Sequence, residues 1–123
     1  TAPFIKSTDL IAGLKLLEKN DCQLVFTVTS FPFPIQRAIK ITDNGRVEMF
    51  QPEMFRTRSQ DLEPSYHDAG QFYWSMTDAV LNKVAAFSEA SMPLILPRHQ
   101  VQDIDTLEDW QCAELMFKAC AEV

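Results

Sequence analysis

Asp103 and Asp105 stand one residue apart in "RHQVQDIDTLEDW", residues 98–110, just ahead of a helix-like run. In an extended segment residues i and i+2 point to the same side, so both carboxylates can meet one cation. Mg²⁺ prefers such a site, one or two carboxylates completed by water and substrate phosphates, to a full protein cage. The end of a strand opening onto a helix N-terminus is also where α/β sheets bind ligands. A plainer reading competes with this one. Acidic residues ahead of a helix satisfy its free N–H groups and complement its dipole. The D-x-D spacing alone leaves both readings open.

Two further stretches carry chemistry-bearing side chains. Arg56 and Arg58 in "FRTRSQDL" offer planar forks suited to carboxylate or phosphate, and equally suit a solvated loop. "SYHDAGQFYW" gathers Tyr66, His67, Asp68, Gln71, Tyr73 and Trp74 around a glycine. That mixture matches a pocket wall, and also matches core aromatics beside one exposed histidine. His67 and Asp68 are neighbours, which in a strand face opposite ways, and no Ser or Cys nucleophile motif accompanies them. A catalytic triad is not supported.

The elements that must position these residues follow from pattern. Ser7 or Thr8 is expected to cap a helix running to about Asn20, with Leu10, Ile11, Leu14 and Leu17 as its apolar stripe. "CQLVFTVTSF" is a buried strand by its β-branched and aromatic content, and the prolines of "FPFPIQ" stop it. "RAIKIT", "DNG" and "RVEMF" read as a hairpin, with Asn44-Gly45 supplying positive φ at both positions of a primed turn. Residues 51–69 form a long polar connection. "GQFYWSM" is then a strand, "TDAVLNKVAAFSEA" a helix capped by Thr77, and "PLILP" a short strand. The closing helix has capping-box spacing at Thr106 and Asp109, and an apolar face of Leu107, Trp110, Ala113, Phe117 and Cys120. The order α-β-hairpin-β-α-β-α predicts an α/β fold with a mixed sheet and no internal domain boundary.

Bulk properties narrow the partners. The 123 residues carry a net charge of −6, with 46% hydrophobic and 23% charged residues. This is a globular composition without the basic stripe that nucleic acid or an anionic membrane requires. No apolar run is long enough to span a bilayer, and no export signal is visible. Cys22, Cys112 and Cys120 are widely spaced without C-x-x-C, which predicts three buried thiols in a reducing cytoplasm.

Taken together, "TAPF", "FPFPIQRAIKI", "TRSQDL", "YHDAGQFYW" and "QDIDTLEDW" resemble the C-terminal half of the sialic-acid-type cytidylyltransferases, and most of all the pseudaminic acid cytidylyltransferases. The resemblance implies a Rossmann-like nucleotidyltransferase fold with a protruding β-hairpin arm, and a homodimer in which that arm reaches the partner's site. It implies Mg²⁺ as cofactor, with CTP and a nonulosonic acid as substrates, joined as a CMP-sugar with release of pyrophosphate for surface glycans. On the family's motifs, Asp103 and Asp105 fall on the metal-binding, catalytic D-x-D. Arg58, with Gln60 in the block that follows it, falls where the arm approaches sugar or phosphate. Tyr73 falls on the tyrosine of the N-G-A-I-Y block lining the sugar pocket. Ala69 replaces that block's Asn and Gln71 its small residue, which implies a sugar other than sialic acid. Ala2 replaces the Ser of a T-S-P segment at Thr1–Phe4, so a base contact through that Ser is not carried over.

The family's Gly-rich A-R-x-G-S-K loop, which holds the triphosphate, is absent from these residues, and the chain opens without Met. The expectation is therefore the C-terminal part of a single nucleotidyltransferase domain, inactive alone. A non-catalytic dimerisation module and a domain binding an acidic sugar without nucleotide are the rival expectations.

Overall fold

The computed structural model describes residues 1–121, which divide into two compact units, Ser30–His67 and the remainder. The elements are α1 (Ser7–Lys19), β1 (Leu24–Ser30), β2 (Ile39–Ile41), β3 (Val47–Met49), β4 (Tyr66–Ser75), α2 (Thr77–Leu81), β5 (Ser91–Ile95) and α3 (Leu107–Ala121). Their order is the one expected, and the class is α/β with a mixed sheet plus a hairpin.

In the larger unit the sheet order is β4-β1-β5. The central strand is the run "LVFTVT", buried at every one of these positions, with Val25 and Thr27 sealed completely. A strand with neighbours on both sides and covered faces selects this unbroken β-branched and aromatic composition. β5 runs parallel to β1, from Leu24 opposite Ser91 to Val28 opposite Ile95. β4 runs antiparallel: Met76 N–H donates to the Gln23 carbonyl at one end, and Phe31 N–H to the Ser65 carbonyl at the other. Pro93 is tolerated within β5 because that strand pairs on one edge only.

α1 lies on β4. Its buried positions are Gly13 and Leu17, and the Trp74 indole N–H donates to the Leu10 carbonyl at 2.9 Å. Ile11, expected in the stripe, is instead 54% exposed, because contact centres on the side that carries the glycine. The N-cap is Lys6, not Ser7 or Thr8: its carbonyl accepts from Asp9 and Leu10, and no side chain caps the helix.

β4 starts at Tyr66, well before the expected strand, and absorbs the end of the supposed connection. α2 is shorter than expected and stops at Leu81. Lys83 N–H donates to Val80 and Val84 N–H to Ala79, the paired bonds of a Schellman closure with Lys83 at φ 53°. No glycine announces that stop in the sequence. A side chain in the left-handed region is strained, so Lys83→Gly should raise stability by about 0.5–1 kcal/mol, read by denaturant unfolding.

α3 begins after Thr106 as expected, but its apolar stripe is largely bare. Ala113 is buried, while Leu107 is 74%, Trp110 52% and Phe117 65% exposed. Helical spacing marks which residues share a face, not whether that face is covered. The thiols differ from expectation too: Cys22 is half-buried, and Cys112 and Cys120 are exposed on α3, all three free. Among the described residues no helix is long and apolar enough to cross a membrane.

The smaller unit holds the hairpin, with Ile39 opposite Met49 and Ile41 opposite Val47. Its turn is not primed. Only Gly45 has positive φ, at 70°, and Gly45 N–H donates to Thr42 while Thr42 N–H donates to Arg46. This is the three-residue loop closed by a left-handed glycine, which leaves Asn44 in ordinary backbone. Arg37 Nη2 donates to the carbonyls of Thr57 (2.7 Å) and Phe55 (3.4 Å), tying down the following connection.

Candidate functional site

The acidic pair does not sit at the end of β5. A short 3₁₀ turn, Arg98–Gln100, follows that strand, and residues 101–104 then run without strand pairing to a bend at 105–106. Asp103 Oδ1 accepts from the Thr1 amino group at 2.8 Å and from the Ile104 N–H at 3.0 Å, and its side chain is half exposed. The hydrogen bond from Thr1, then its charge, holds the Asp103 carboxyl below the ordinary 3.8. In return the amine is raised by its bond to Asp103, by that residue's charge, and by the charge of Asp105. Asp103 thus bonds this nitrogen directly, while Asp105 acts on it through charge alone. The positive charge belongs to a free amino group; inside a longer chain the same nitrogen would donate without it.

The chemistry of the donor set suits Mg²⁺. Two carboxylates are present in an exposed loop, and among the described residues no cluster of three or more His, Cys, Asp or Glu closes round a metal. Water and phosphate oxygens would complete such a shell.

The Asp105 carboxylate and the helix cap are separate. The capping reading of the region is correct for Thr106 and Asp109: Asp109 Oδ2 accepts from the N–H groups of Thr106 (2.8 Å) and Asp105 (3.2 Å), while Asp109 N–H donates to Thr106 Oγ1. Asp109 does this work, so the carboxylates of Asp103 and Asp105 are not consumed by the cap. Thr106→Ala should cost about 1 kcal/mol of stability by denaturant unfolding. The Thr106 hydroxyl first, then the N–H groups of Thr106 and Asp105, hold the Asp109 carboxyl below 3.8. Its folded value is depressed, so its contribution is complete above 3.8 and lost as pH falls through the lower folded value. An acid titration of the thermal midpoint should show this loss, and Thr106→Ala should flatten it.

β4 supplies the surface beside the loop. Gly70, at φ 66°, lies against Asp103: a Cβ there would stand 3.5 Å from Asp103 Oδ2. Gly70 N–H donates to Asp68 Oδ1 at 2.8 Å, and the Tyr73 hydroxyl donates to Asp68 Oδ2. Residues 68 and 73 are an odd number apart and in a regular strand would face opposite ways. The left-handed step at Gly70 skips one alternation, as a bulge does, and returns both to one side. The Tyr73 ring then stacks on Phe26 with centroids 5.0 Å apart, and Phe26 stacks on Phe87 at 5.4 Å. Gln71 Nε2 donates to the Gln100 carbonyl at 2.7 Å.

Arg58 and Gln60 belong to the smaller unit, on either side of Ser59 at the 3₁₀ turn Ser59–Asp61. Arg58 Nε bonds Asp61 Oδ2 at 2.9 Å, an exposed pair of little energetic weight that leaves the other guanidinium donors outward. Gln60 lines a groove of about 340 Å³ with Phe31, Phe33 and Pro64. Arg56 is exposed. His67 meets Phe31 edge-on at 4.9 Å. Sequence reading missed Asp68 as the anchor of Tyr73. The odd spacing across a glycine was its only signal.

The larger unit is thus an α/β unit with an acidic loop laid against a glycine of the neighbouring strand. No family model matches the chain. It is 37% identical over 118 residues to a pseudaminic acid cytidylyltransferase of Campylobacter jejuni subsp. jejuni serotype O:23/36 (strain 81-176), covering 96% of this chain and 51% of the relative. The same identity and coverage hold for the pseudaminic acid cytidylyltransferase of serotype O:2 (strain ATCC 700819 / NCTC 11168). A Helicobacter pylori (strain ATCC 700392 / 26695) protein named for both that cytidylyltransferase and a UDP-2,4-diacetamido-2,4,6-trideoxy-beta-L-altropyranose hydrolase is 38% identical over 93 residues, covering 75% of this chain and 18% of the relative. The chain is a relative of the pseudaminic acid cytidylyltransferases along almost all of its length, and spans about half the length of the two Campylobacter proteins.

Proposed function

We propose that these residues form part of a cytidylyltransferase that moves CMP from CTP to a nonulosonic acid of the pseudaminic type, releasing pyrophosphate. The observation that carries the reading is the exposed loop holding Asp103 and Asp105, with Asp103 laid against Gly70 of β4, in a chain similar along 96% of its length to enzymes named for this transfer. In-line attack at the α-phosphate needs positioning and charge stabilisation more than covalent chemistry from the protein. Asp103 and Asp105 would hold Mg²⁺ in the half-exposed loop. Mg²⁺ bound there supplies positive charge against the α-phosphate and eases ionisation of the attacking sugar hydroxyl. Gly70, with no side chain, leaves room for substrate against the carboxylates. Tyr73, its hydroxyl turned by Asp68 and its ring backed by Phe26, offers a fixed wall for the sugar. Arg58, with donors to spare, would orient a carboxylate or phosphate, with Gln60 beside it.

The same reading makes the protein a cytoplasmic homodimer, where CTP is available. The smaller unit supports the second half of that statement: Ile41 is 77%, Val47 67% and Phe50 62% exposed along the hairpin, a surface that a partner copy would cover.

The test is direct. The natural full-length gene product, given CTP, Mg²⁺ and pseudaminic acid, should release pyrophosphate and yield a CMP-sugar. The 123 residues alone should not. Absence of product from the full-length protein with every nonulosonic acid tried would sink the reading. A sugar-binding domain without nucleotide chemistry would instead show calorimetric binding of the acid and none of CTP.

A further inference from the structure

We propose that Gln71 and Gln100 act as a brace that sets the position of the Asp103 carboxylate, so that Gln71 is a positioning residue and not a sugar contact. The inference rests on the cation-site reading above.

Asp103 lies three residues beyond Gln100, in a segment with neither helical nor strand hydrogen bonding. Such a segment holds a carboxylate in place only if something outside it grips the backbone. Gln100 is gripped at three points. Its carbonyl accepts from Gln71 Nε2 at 2.7 Å, its Oε1 accepts from Lys6 Nζ at 3.1 Å, and its Nε2 donates to Asp9 Oδ2. Gln100 is only 7% exposed, so these bonds are shielded from competing water. The other end of the segment is held by Asp109 through the N–H groups of Asp105 and Thr106. The loop between, carrying both carboxylates, is therefore fixed at each end, and the β4 end of the grip is Gln71.

Packing does not account for Gln71. Its Oε1 is buried and accepts no hydrogen bond among the described residues. A methionine would fill the same place without an unmet acceptor. The amide is spent on one carbonyl, and that carbonyl belongs to the turn that delivers Asp103. Its neighbour Gly70 provides the clearance against which the carboxylate lies.

The test uses the full-length gene product and Mn²⁺ as probe, titrated without nucleotide and read by water-proton relaxation. Asp103→Asn serves as the control that abolishes the signal. Gln71→Met keeps the volume and removes the donor. It should weaken Mn²⁺ binding about tenfold, the lower range for partners that orient metal ligands. The KM for the sugar acid should stay within about twofold, as expected for a residue that acts on the metal loop alone. Gln100→Leu should weaken Mn²⁺ at least as much. Unchanged Mn²⁺ affinity in both variants overturns the proposal, whatever their thermal midpoints. So does a raised sugar KM with intact Mn²⁺ affinity, the signature of a direct sugar contact. A parent that binds no Mn²⁺ overturns it as well. If instead Mn²⁺ binding falls as stated but the parent makes no CMP-sugar, the brace stands and the cytidylyltransferase reading fails.

Discussion

Asp103→Asn in the full-length gene product should lower kcat/KM for CMP transfer by more than about 100-fold, beyond what loss of an outer partner costs a metal site. The substitution keeps size and shape and removes the charge. Asp103 is half exposed and its neighbours at the turn are held independently by Gln71 and Asp109, so the fold should survive it. A thermal midpoint close to the parent's, with pyrophosphate release nearly abolished, is the expected pair of results. Asp105→Asn should act in the same direction. Its carboxylate stands in the same exposed loop two residues from Asp103, and the cap at Asp109 engages its backbone N–H and not its carboxylate. A parental rate from both variants would leave the acidic pair without a role in the reaction.

Gly13→Val should give the largest loss of stability. A Cβ on Gly13 would stand 2.9 Å from the Phe72 ring and 3.0 Å from the Trp74 ring, closer than carbon atoms tolerate. α1 would have to lift from β4, or both aromatics would have to turn. Trp74 is tethered by its bond to the Leu10 carbonyl on the same helix, which blocks the cheaper of these escapes. Overpacking of this kind costs about 1–3 kcal/mol, and valine adds two methyl groups to the clash, so about 3 kcal/mol is expected from denaturant unfolding. Gly13→Ala should cost less. A stability equal to the parent's in both would mean that the helix does not rest on β4 as described.

Local signals carried much of the architecture. The run "LVFTVT" is the covered central strand, and Thr106 with Asp109 forms the expected capping box. The failures share a physical cause. Lys83 closes α2 in a conformation that glycine normally advertises, and Gly70, expected to open a strand, instead sits inside β4 with a left-handed backbone. In both places the backbone adopts a state that the local residue types do not favour or do not reveal. The bare face of α3 is a third case, since its spacing is helical whether or not anything covers it.

The site divides in the same way. Asp103 and Asp105 were visible because their spacing is local. Gln100 was not, because its grip joins residues 29, 91 and 94 positions away along the chain. No window of sequence contains it.

The skipped alternation at Gly70 makes residue count, and not only residue type, a determinant of what this strand presents. Removing a single amino acid between Asp68 and Tyr73 while Gly70 keeps its left-handed step would put the two on opposite sides, sever the carboxylate from the phenol, and swap inward for outward along one arm of the ribbon. Variants of altered length there should therefore behave as if several side chains had been exchanged at once, even when every remaining letter is the same.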